Sequence, residues 1–411
     1  MNDYKNIIIG AGAAGLFLSA LLNNRNTLVL EKNPYPGKKL NITGKGRCNI
    51  TNNCSKEDIF LEIFTNEKFV YSAISDFDNK MTVDFFNDRN LKTKVERGGR
   101  IFPISDRARD VTDCLYKNNE CIFKFNKCVK KIEKSGEKFI ILTDKEKYTC
   151  ENLVVATGGL SYPTTGSTGD GYEFLKSFGH TIIEPKPALV GVETDSKFTE
   201  KLMGISLKNI EFKLIRKKKL IKSEFGEALF THYGLSGPTI LRLSPFVKKG
   251  DVLSLDLKPA LSDEKLQNRI QRDLDEASTK MIKNSLNHLL LSNMIEPILE
   301  LSNIDLEKNS NIITKEERQR LSSVIKNMEF NVTSRRPINE AIITDGGVKV
   351  SEINPKTMES KLVNNLFVIG ELLDVAANTG GYNLQITFST AYKAYLYLED
   401  KYDCNKRCNN N

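Results

Sequence analysis

The stretch YKNIIIGAGAAGLFLSALLNNRNTLVLE, residues 4–31, decides the fold. It begins with a run of β-branched apolar residues that is typical of a buried strand and continues with apolar residues at helical spacing. It ends in TLVL, residues 27–30, which again indicates a strand. Between the first strand and the helix, the glycines Gly10, Gly12 and Gly15 form the pattern G-x-G-x-x-G. The stretch therefore predicts a βαβ unit.

This βαβ unit carries the features of a dinucleotide-binding site. Gly10 makes the tight turn, Gly12 lets the backbone approach a pyrophosphate, and Gly15 lets the helix pack closely on the strand. The first helical residues, Ala13 and Ala14, offer backbone N–H groups at the positive end of the helix dipole. These features together predict that the unit binds a dinucleotide.

The acid at the end of the second strand narrows the choice of dinucleotide. Glu31 lies 21 residues after Gly10, a distance at which a carboxylate accepts hydrogen bonds from the adenosine ribose hydroxyls. It would repel the ribose phosphate of NADP, which leaves FAD and NAD as alternatives. Two distant segments, LVVATGG at 153–159 and NLFVIGELLDV at 365–375, are typical of buried strands that return to the same nucleotide-binding sheet.

A flavin is favoured by the glycine pair that comes after the second of these segments. Gly380 and Gly381 precede a predicted helix that carries apolar residues at helical spacing. The N-terminus of such a helix can stabilise the negative charge that builds on the pyrimidine edge of a reduced flavin. A nicotinamide cofactor does not require this feature.

Composition limits the remaining classes. Of the 411 residues, 40% are hydrophobic and 27% are charged, which excludes a disordered or fibrous chain. The net charge of +8 is spread along the sequence, so nucleic acid is the less favoured partner. No cysteine or histidine pattern has metal-ligand spacing, and no apolar run reaches the roughly 20 residues of a membrane span. We therefore expect a cytoplasmic protein with a small-molecule substrate, no metal and no membrane segment.

Pattern changes along the chain predict an α/β protein in which a Rossmann-type, two-part FAD-binding domain is interrupted by an inserted β-barrel-like domain with a small helical subdomain. The first part of the FAD-binding domain spans 1–188 and its second part 347–411. The β-rich substrate domain covers 189–258 and returns at 328–346. The helical subdomain occupies 259–327.

Six further segments carry a resemblance to a known family. They are GKKLNITGKGRCNITN at 37–52, GGRIFPISDRARDV at 98–111, ATGGLSYPTTGSTGDGYEFLKSFGH at 156–180, LFTHYGLSGPTIL at 229–241, ITDGGVKVSEINPKTMESKL at 343–362 and GELLDVAANTGGYNLQ at 370–385. Through them the chain resembles the BaiN-like and YhiN-like bacterial flavoproteins, which include aminoacetone oxidase-like enzymes. No histidine precedes His180, so we expect the FAD to be bound non-covalently.

The resemblance implies that the segment 37–52, here called the basic loop, wraps the flavin end of FAD. Its glycines permit a close backbone approach, and its cations can neutralise the pyrophosphate or the reduced ring. The predicted cofactor-binding residues are Gly10, Gly12, Ala13, Ala14, Gly15, Glu31, Lys32, Lys38, Lys39, Gly44, Gly46, Arg47, Cys48, Asn49, Val129, Thr157, Gly158, Gly370, Glu371, Asp374, Gly380, Gly381, Tyr382, Asn383 and Leu384.

Three residues are candidates for catalysis. His232 precedes a predicted helix start and could exchange a proton with a substrate. Arg100 could reach the flavin face or an anionic substrate, and Tyr382 could line the ring. Cys48 and Cys54 lie where flavin disulfide reductases carry a redox pair, but five residues separate them instead of the four of those enzymes, so a redox disulfide is the less favoured interpretation.

These features together predict an FAD-dependent oxidoreductase that transfers hydride between the flavin and a small organic substrate. Within the family, reduction of an enone-type double bond with NAD(P)H as donor is slightly favoured. Oxidation of an amine such as aminoacetone by oxygen is the alternative. A flavoprotein that binds or modifies RNA is an alternative of another class.

Overall fold

The computed structural model describes residues 2–195 and 197–409. The chain divides into two compact units, one formed by residues 1–187 with 338–411 and the other by residues 188–337. Every helix within the described ranges falls short of the combined length and apolar character that crossing a bilayer requires.

Strands and helices alternate along most of the chain. The strands are β1 (Asn2–Ile9), β2 (Thr27–Leu30), β3 (Thr51–Asn52), β4 (Ile63–Thr65), β5 (Thr93–Val95), β6 (Arg100–Pro103), β7 (Ile122–Lys124), β8 (Val129–Ser135), β9 (Lys138–Thr143), β10 (Lys147–Val155), β11 (Ile182–Ala188), β12 (Val192–Thr194), β13 (Ser206–Arg216), β14 (Lys219–Thr231), β15 (Gly234–Ser236), β16 (Val252–Asp256), β17 (Met328–Arg335), β18 (Ile343–Val348), β19 (Leu366–Val368) and β20 (Ala376–Ala377). The helices are α1 (Ala13–Leu22), α2 (Thr43–Gly46), α3 (Lys56–Leu61), α4 (Tyr71–Asp76), α5 (Asn79–Asp88), α6 (Ala108–Tyr116), α7 (Asp170–Ser177), α8 (Lys197–Lys201), α9 (Pro238–Leu243), α10 (Asp263–Glu276), α11 (Ser292–Leu301), α12 (Lys315–Lys326) and α13 (Tyr382–Asn409).

The first unit is built on a seven-stranded sheet in the order β7-β2-β1-β10-β9-β8, with β19 paired to β10. The strands β7, β2, β1, β10 and β19 run parallel, and β8 and β9 form an antiparallel extension. All four residues of β2 are buried, as expected for a parallel strand that is covered on both faces. The predicted βαβ unit is therefore present, and the distant segments at 153–159 and 365–375 supply β10 and β19 of the same sheet.

The helix α1 packs against α13 through aromatic side chains. The ring of Phe17 lies 4.7 Å from the ring of Phe388 and 4.6 Å from that of Phe85. All three residues are buried in the same core. Because α13 begins directly after Gly380 and Gly381, this packing holds both glycine-rich segments against one sheet.

The second unit contains a closed barrel in the strand order β12-β15-β14-β13-β16-β17. Its interior holds Phe212, Phe230 and Phe330, of which Phe330 lies 6.3 and 5.9 Å from the other two rings. The helices α10, α11 and α12 bury their apolar faces in the same core. Because these helices and the barrel share one hydrophobic core, the helical segment belongs to the second unit.

The second unit ends earlier in the chain than predicted. The predicted return of the β-rich domain extends to residue 346, whereas the second unit ends at residue 337. Residues 343–346 belong to β18, which pairs with β11. Backbone N–H groups of Leu160 and Ser161 also donate to the Thr344 hydroxyl, at 2.8 and 3.1 Å. These contacts, which sequence patterning does not show, place β18 in the first unit.

Candidate functional site

The glycine-rich turn at the start of α1 combines tight contacts with one open position. Gly10 has φ +103°, and a Cβ on Gly15 would lie 1.9 Å from the carbonyl oxygen of Gly10. Side chains are therefore excluded at both positions. Gly12 differs, because its φ is −79° and a Cβ there would meet no atom within 4 Å. The backbone at Gly12 thus borders open space.

The N-terminus of α1 faces this part of the site without a side-chain cap among the described residues. The N–H groups of its first turn, which include those of Ala13 and Ala14, have no acceptor within the helix. A helix start of this kind binds phosphate through these N–H groups and its dipole. The open space at Gly12 and the uncapped helix fit the pyrophosphate of FAD.

The predicted ribose acceptor, Glu31, is buried and holds the glycine-rich turn in place. Its Oε2 accepts a hydrogen bond from the backbone N–H of Ala11 at 2.7 Å. Its Oε1 accepts from the backbone N–H and the side-chain amide of Asn33, at 2.8 and 2.7 Å. A carboxylate oxygen accepts more than one hydrogen bond, so binding of a ribose remains compatible with these contacts. The ribose-binding role stays a prediction.

Four buried polar atoms of the first unit have no hydrogen-bond partner among the described residues. They are Asn49 Oδ1, Thr157 Oγ1, Tyr172 OH and Asn378 Oδ1. A buried polar atom without a partner costs about 1 to 3 kcal/mol. FAD carries ribityl hydroxyls, ring carbonyls and a ring N–H, which are the complementary groups. Asn49 and Thr157 are among the residues predicted to bind it, so the residues present fit FAD on this observation.

Lys39 of the basic loop is paired with a residue from the far end of the chain. Its Nζ lies 2.5 Å from Glu371 Oε2 and 2.7 Å from Ser161 Oγ. Glu371 Oε1 in turn accepts hydrogen bonds from Ser161 Oγ and the Thr344 backbone N–H, both at 3.0 Å. About a fifth of each charged side chain is exposed. The structure therefore brings two predicted cofactor residues together, but as partners of each other.

Two other predicted cations are also paired within the protein. Lys32 Nζ lies 2.6 Å from Asp170 Oδ2. Arg47 donates to Asp106 at 2.6 and 2.8 Å and to Glu96, and its guanidinium lies 4.2 Å from the ring centre of Phe102. Their positive charges hold neighbouring segments together in this structure.

The remainder of the basic loop is tightly curled. Gly44, Lys45, Gly46 and Cys48 all have positive φ, between 57° and 83°. Lys38 makes a long contact of 3.5 Å to Asn33 Oδ1. Burial raises the pKa of the Cys48 thiol to about 12, against a weaker lowering by Thr43, so the thiol stays neutral near pH 7. Both Cys48 and Cys54 are free thiols.

The segment before α13 approaches the strand β3 closely. A Cβ on Gly381 would lie 2.5 Å from the Thr51 carbonyl group. A Cβ on Gly380 would lie 2.4 Å from the Tyr382 ring. Both positions have positive φ, at 139° for Gly380 and 99° for Gly381. Glycine is therefore required at both positions by sterics within the protein.

The next two predicted residues have structural contacts of their own. Asn383 donates to the Ala377 carbonyl at 2.7 Å and accepts from the Ala377 N–H at 3.0 Å. Leu384 is half-buried against the core of the first unit. Asn383 thus fixes the loop between β20 and α13.

The strand ends around Thr157 and Gly370 also carry predicted residues. Gly158 and Gly370 have φ +74° and +71°, and a Cβ on Gly370 would lie 2.8 Å from that of Ala14. Asp374 accepts from Asn66 Nδ2 at 2.8 Å. Burial raises the pKa of Asp374 and the nearby Asp345 adds to the rise, whereas Asn66 opposes it.

Val129 differs from the other predicted cofactor residues in position. It is the first residue of β8, in the antiparallel extension of the sheet, and it is buried in the core of the first unit. Among the described residues, no hydrogen bond and no close glycine contact connects Val129 to the basic loop or to the glycine-rich turn.

Sequence reasoning gave no role to Gln385, which the structure places at a junction. Its buried Oε1 accepts from the hydroxyls of Thr51 and Thr82, at 2.7 and 2.9 Å, and its Nε2 donates to the Phe77 carbonyl at 3.0 Å. The available signal was a glutamine at the start of the predicted helix, a residue that needs hydrogen-bond partners when it is buried. Gln385 ties α13 to β3 and α5.

The three catalytic candidates have different surroundings. Tyr382 is buried, and although burial raises the pKa of the Cys54 thiol, Tyr382 lowers that pKa by a smaller amount. Arg100 is exposed and donates to the Arg97 carbonyl at 3.0 Å. His232 is exposed in the second unit, between β14 and β15, with its ring 5.0 Å from that of Tyr233. The three roles remain predictions. No cluster of His, Cys, Asp and Glu within residues 2–195 and 197–409 is arranged to hold a metal ion.

Comparison with known proteins identifies the family. The family described as HI0933-like protein Rossmann domain matches residues 4–396. The chain belongs to the HI0933-like family. This match confirms the predicted Rossmann-type FAD-binding fold. It also confirms the prediction that the protein is a flavin-dependent oxidoreductase. The family and its fold support FAD as the cofactor.

Three relatives span nearly the whole chain. A protein of Haemophilus influenzae named ribosomal RNA dihydrouridine synthase is 33% identical and aligns with 97% of this chain and 99% of its own length. A protein of Escherichia coli with the same name is 29% identical, with 95% and 97% coverage. The 3-dehydro-bile acid delta(4,6)-reductase of Clostridium scindens is 27% identical, with 94% and 97% coverage.

Solved structures agree on the fold of this HI0933-like chain. The 3-ketosteroid delta1-dehydrogenase of Sterolibacterium denitrificans has a TM-score of 0.52 at 11% identity, covering 98% of this chain and 100% of that one. The Sdh1 complex of Mycobacterium smegmatis has a TM-score of 0.50 at 14% identity, covering 97% and 68%. At these identities the likeness shows the fold alone.

Proposed function

We propose that this protein is a flavin-dependent reductase that adds hydrogen across a carbon–carbon double bond conjugated to a carbonyl group, and that its substrate is a uracil base of ribosomal RNA. The observation that carries this proposal is the full-length similarity to two proteins named ribosomal RNA dihydrouridine synthase, at 33% and 29% identity. The proposal reverses the order of the sequence-based alternatives, in which a small molecule preceded RNA.

Chemistry links the uracil substrate to the predicted enone reductase. The C5–C6 double bond of uracil is conjugated to the C4 carbonyl, so its reduction to dihydrouracil is an enone-type reduction. The relative named as a bile acid delta(4,6)-reductase also acts on double bonds of an oxo compound, by its name. One reaction class therefore covers all three relatives, although their substrates differ in size and charge.

Bound FAD would supply the hydride for the β-carbon of such a substrate, and the α-carbon would take a proton. The residues of this chain would bind and orient the cofactor. The uncapped start of α1 and the open position at Gly12 suit its pyrophosphate. Asn49, Thr157 and Asn378 present polar atoms that its hydroxyl and ring groups can pair with.

Tyr382 and Cys54 are the proposed proton source. Burial raises the pKa of the Cys54 thiol, and Tyr382 lowers it by a smaller amount. A thiol that stays protonated near neutral pH can deliver a proton to carbon. Tyr382 would position the thiol, and solvent would return the proton after each turnover.

The test is to incubate the purified flavoprotein with NADPH and ribosomal RNA transcribed in vitro. The RNA is then digested to nucleosides, and dihydrouridine is measured by mass spectrometry. We expect dihydrouridine to form at a defined position in the RNA but not in a shuffled RNA of equal length. If neither NADPH nor NADH gives dihydrouridine with RNA or with ribosomal subunits, the RNA substrate is wrong.

Reduction of a steroid enone is the second candidate, because the 27% identical relative carries that name. A 3-oxo bile acid with conjugated double bonds is incubated in parallel, and loss of its ultraviolet absorbance is followed. Aminoacetone with oxygen uptake recorded tests the amine oxidase alternative. Turnover of either compound without any dihydrouridine in RNA would replace the proposed substrate.

A further inference from the structure

A cavity of about 690 Å³ lies in the first unit beside the basic loop. It is formed by the segment after β2, the start of α6 and the turn that precedes α7. This volume is within the range of about 300 to 1,000 Å³ that is typical of small-ligand sites. Its lining residues include Tyr35, Lys38, Ile42, Arg107, Arg109 and Thr164.

The charge of this cavity is one-sided. Lys38, Arg107 and Arg109 line it, and no Asp or Glu is among its described lining residues. The two arginines contact carboxylates of their own helix, Asp110 and Asp113, each at 3.1 Å. Their side chains are 72% and 55% exposed, and such surface pairs are weak. A guanidinium also has further N–H donors that a second anion can use.

The cavity also presents apolar surface next to these cations. Tyr35 is 40% exposed and Ile42 is 45% exposed. An exposed aromatic ring beside cationic side chains is the arrangement on which nucleotide bases stack while their phosphates are neutralised. The side chain of Thr164 adds a hydroxyl group to the lining.

The cavity overlaps the residues predicted to bind FAD only at Lys38 and Gly46. None of its described lining residues comes from the glycine-rich turn, from Glu31, or from the strand ends at Thr157 and Gly370. The basic loop contributes Lys38, Asn41, Ile42 and Gly46 to the cavity, so the cavity and the predicted FAD site share this loop. A ligand in this cavity would therefore contact the loop that is predicted to bind FAD but not the glycine-rich turn.

We propose that this cavity binds a nucleotide other than FAD, with its base on Tyr35 and its phosphates on Lys38, Arg107 and Arg109. The inference rests on the proposed function, which supplies two sources of this chemistry. One is the RNA strand next to the target uridine, and the other is the NADPH that reduces the flavin.

The test uses the flavoprotein with Arg107→Ala and Arg109→Ala combined. The matched control combines Lys117→Ala and Lys130→Ala, which removes the same charge from side chains that are 68% and 55% exposed. The rate of anaerobic flavin reduction is measured against NADPH concentration. Binding of a fluorescently labelled ribosomal RNA fragment is measured against salt concentration. The FAD content of each protein is determined from its spectrum.

The proposal expects one of the two affinities to fall by about tenfold in the arginine variant and to change less than twofold in the control. If RNA is the ligand, its affinity falls and the salt slope decreases by about 1.4, for two lost phosphate contacts. If NADPH is the ligand, only the concentration dependence of flavin reduction changes. Tyr35→Leu should reproduce the loss, and Tyr35→Phe should not, because phenylalanine keeps the stacking face.

Two results would overturn the proposal. In the first, both affinities of the arginine variant stay within the range of the control. In the second, the variant loses FAD, which would assign the cavity to the cofactor. Failure of the proposed function has a different signature, since the wild-type protein would then make no dihydrouridine, while both binding measurements would still report on the cavity.

Discussion

The glycine-rich turn and the basic loop, two neighbouring segments with special composition, differ in how their residues are used. In the turn, Gly15 is in close contact with the backbone, while Gly12 borders open space. In the loop, Lys39 and Arg47 are paired with carboxylates of the same unit. The turn thus leaves open space at one glycine, whereas two of the four cations of the loop are paired with carboxylates of the protein itself.

The largest expected effect concerns the tight position of the turn. In Gly15→Ala the new Cβ would lie 1.9 Å from the Gly10 carbonyl oxygen, so α1 must move away from the strand. We expect a loss of about 3 kcal/mol in the free energy of unfolding of the apoprotein, or failure to fold. The measurement is thermal unfolding followed by circular dichroism. A variant with an unchanged midpoint would show that the contact relaxes easily.

Gly12→Ala sharpens the comparison between the two glycines, because it adds the same methyl group at the position that borders open space. No atom lies within 4 Å of the new Cβ, so the apoprotein should lose less than about 1 kcal/mol. The methyl group would occupy space that a pyrophosphate needs, and we expect FAD affinity to fall by about tenfold or more. Calorimetric titration of the apoprotein with FAD measures this. Equal FAD affinity in both proteins would contradict the placement of the pyrophosphate at Gly12.

The sequence predicted the turn well because its constraints are local. Whether a Cβ fits at Gly15 depends on Gly10 and Ile8, which lie at the end of the strand that adjoins the helix in the chain. The partner of a cation is not local, since Lys39 and Glu371 are 332 residues apart. The composition of the loop could show that cations are present but not what neutralises them. The end of the inserted unit was misplaced for the same reason, because β18 is fixed by its pairing with β11.

The pairing of Lys39 with Glu371 is tested by a double-mutant cycle. Lys39→Met, Glu371→Gln and their combination should give a coupling of about 1 to 2 kcal/mol in the free energy of unfolding of the apoprotein, because the pair is mostly buried. If Lys39 instead serves the FAD pyrophosphate, Lys39→Met lowers FAD affinity while Glu371→Gln does not, and no coupling is seen. That result would show that Lys39 of the basic loop serves the cofactor, as is predicted for the glycine-rich turn.

The smallest effect is expected at Arg47, which lies between two carboxylates near the surface. The hydrogen bond from Arg47 lowers the pKa of Glu96, and the pKa of Asp106 is lowered first by Lys94 and then by Arg47. Because these folded-state pKa values are depressed, the stabilisation is complete above the ordinary values of 4.5 and 3.8 and is lost as the pH falls through the lowered values.

Arg47→Gln should therefore lower the unfolding midpoint slightly at pH 7 and lower it progressively less as the pH falls below 3.8, with 0.5 M salt reducing the difference at pH 7. FAD affinity should change less than about twofold, because the guanidinium is held by Asp106 and Glu96. The control is Lys117→Gln, which also removes one positive charge, from a side chain that is 68% exposed and contacts Asp113. If FAD affinity falls about tenfold in Arg47→Gln and not in the control, Arg47 contacts the cofactor, and the contrast between loop and turn holds only for the lysines.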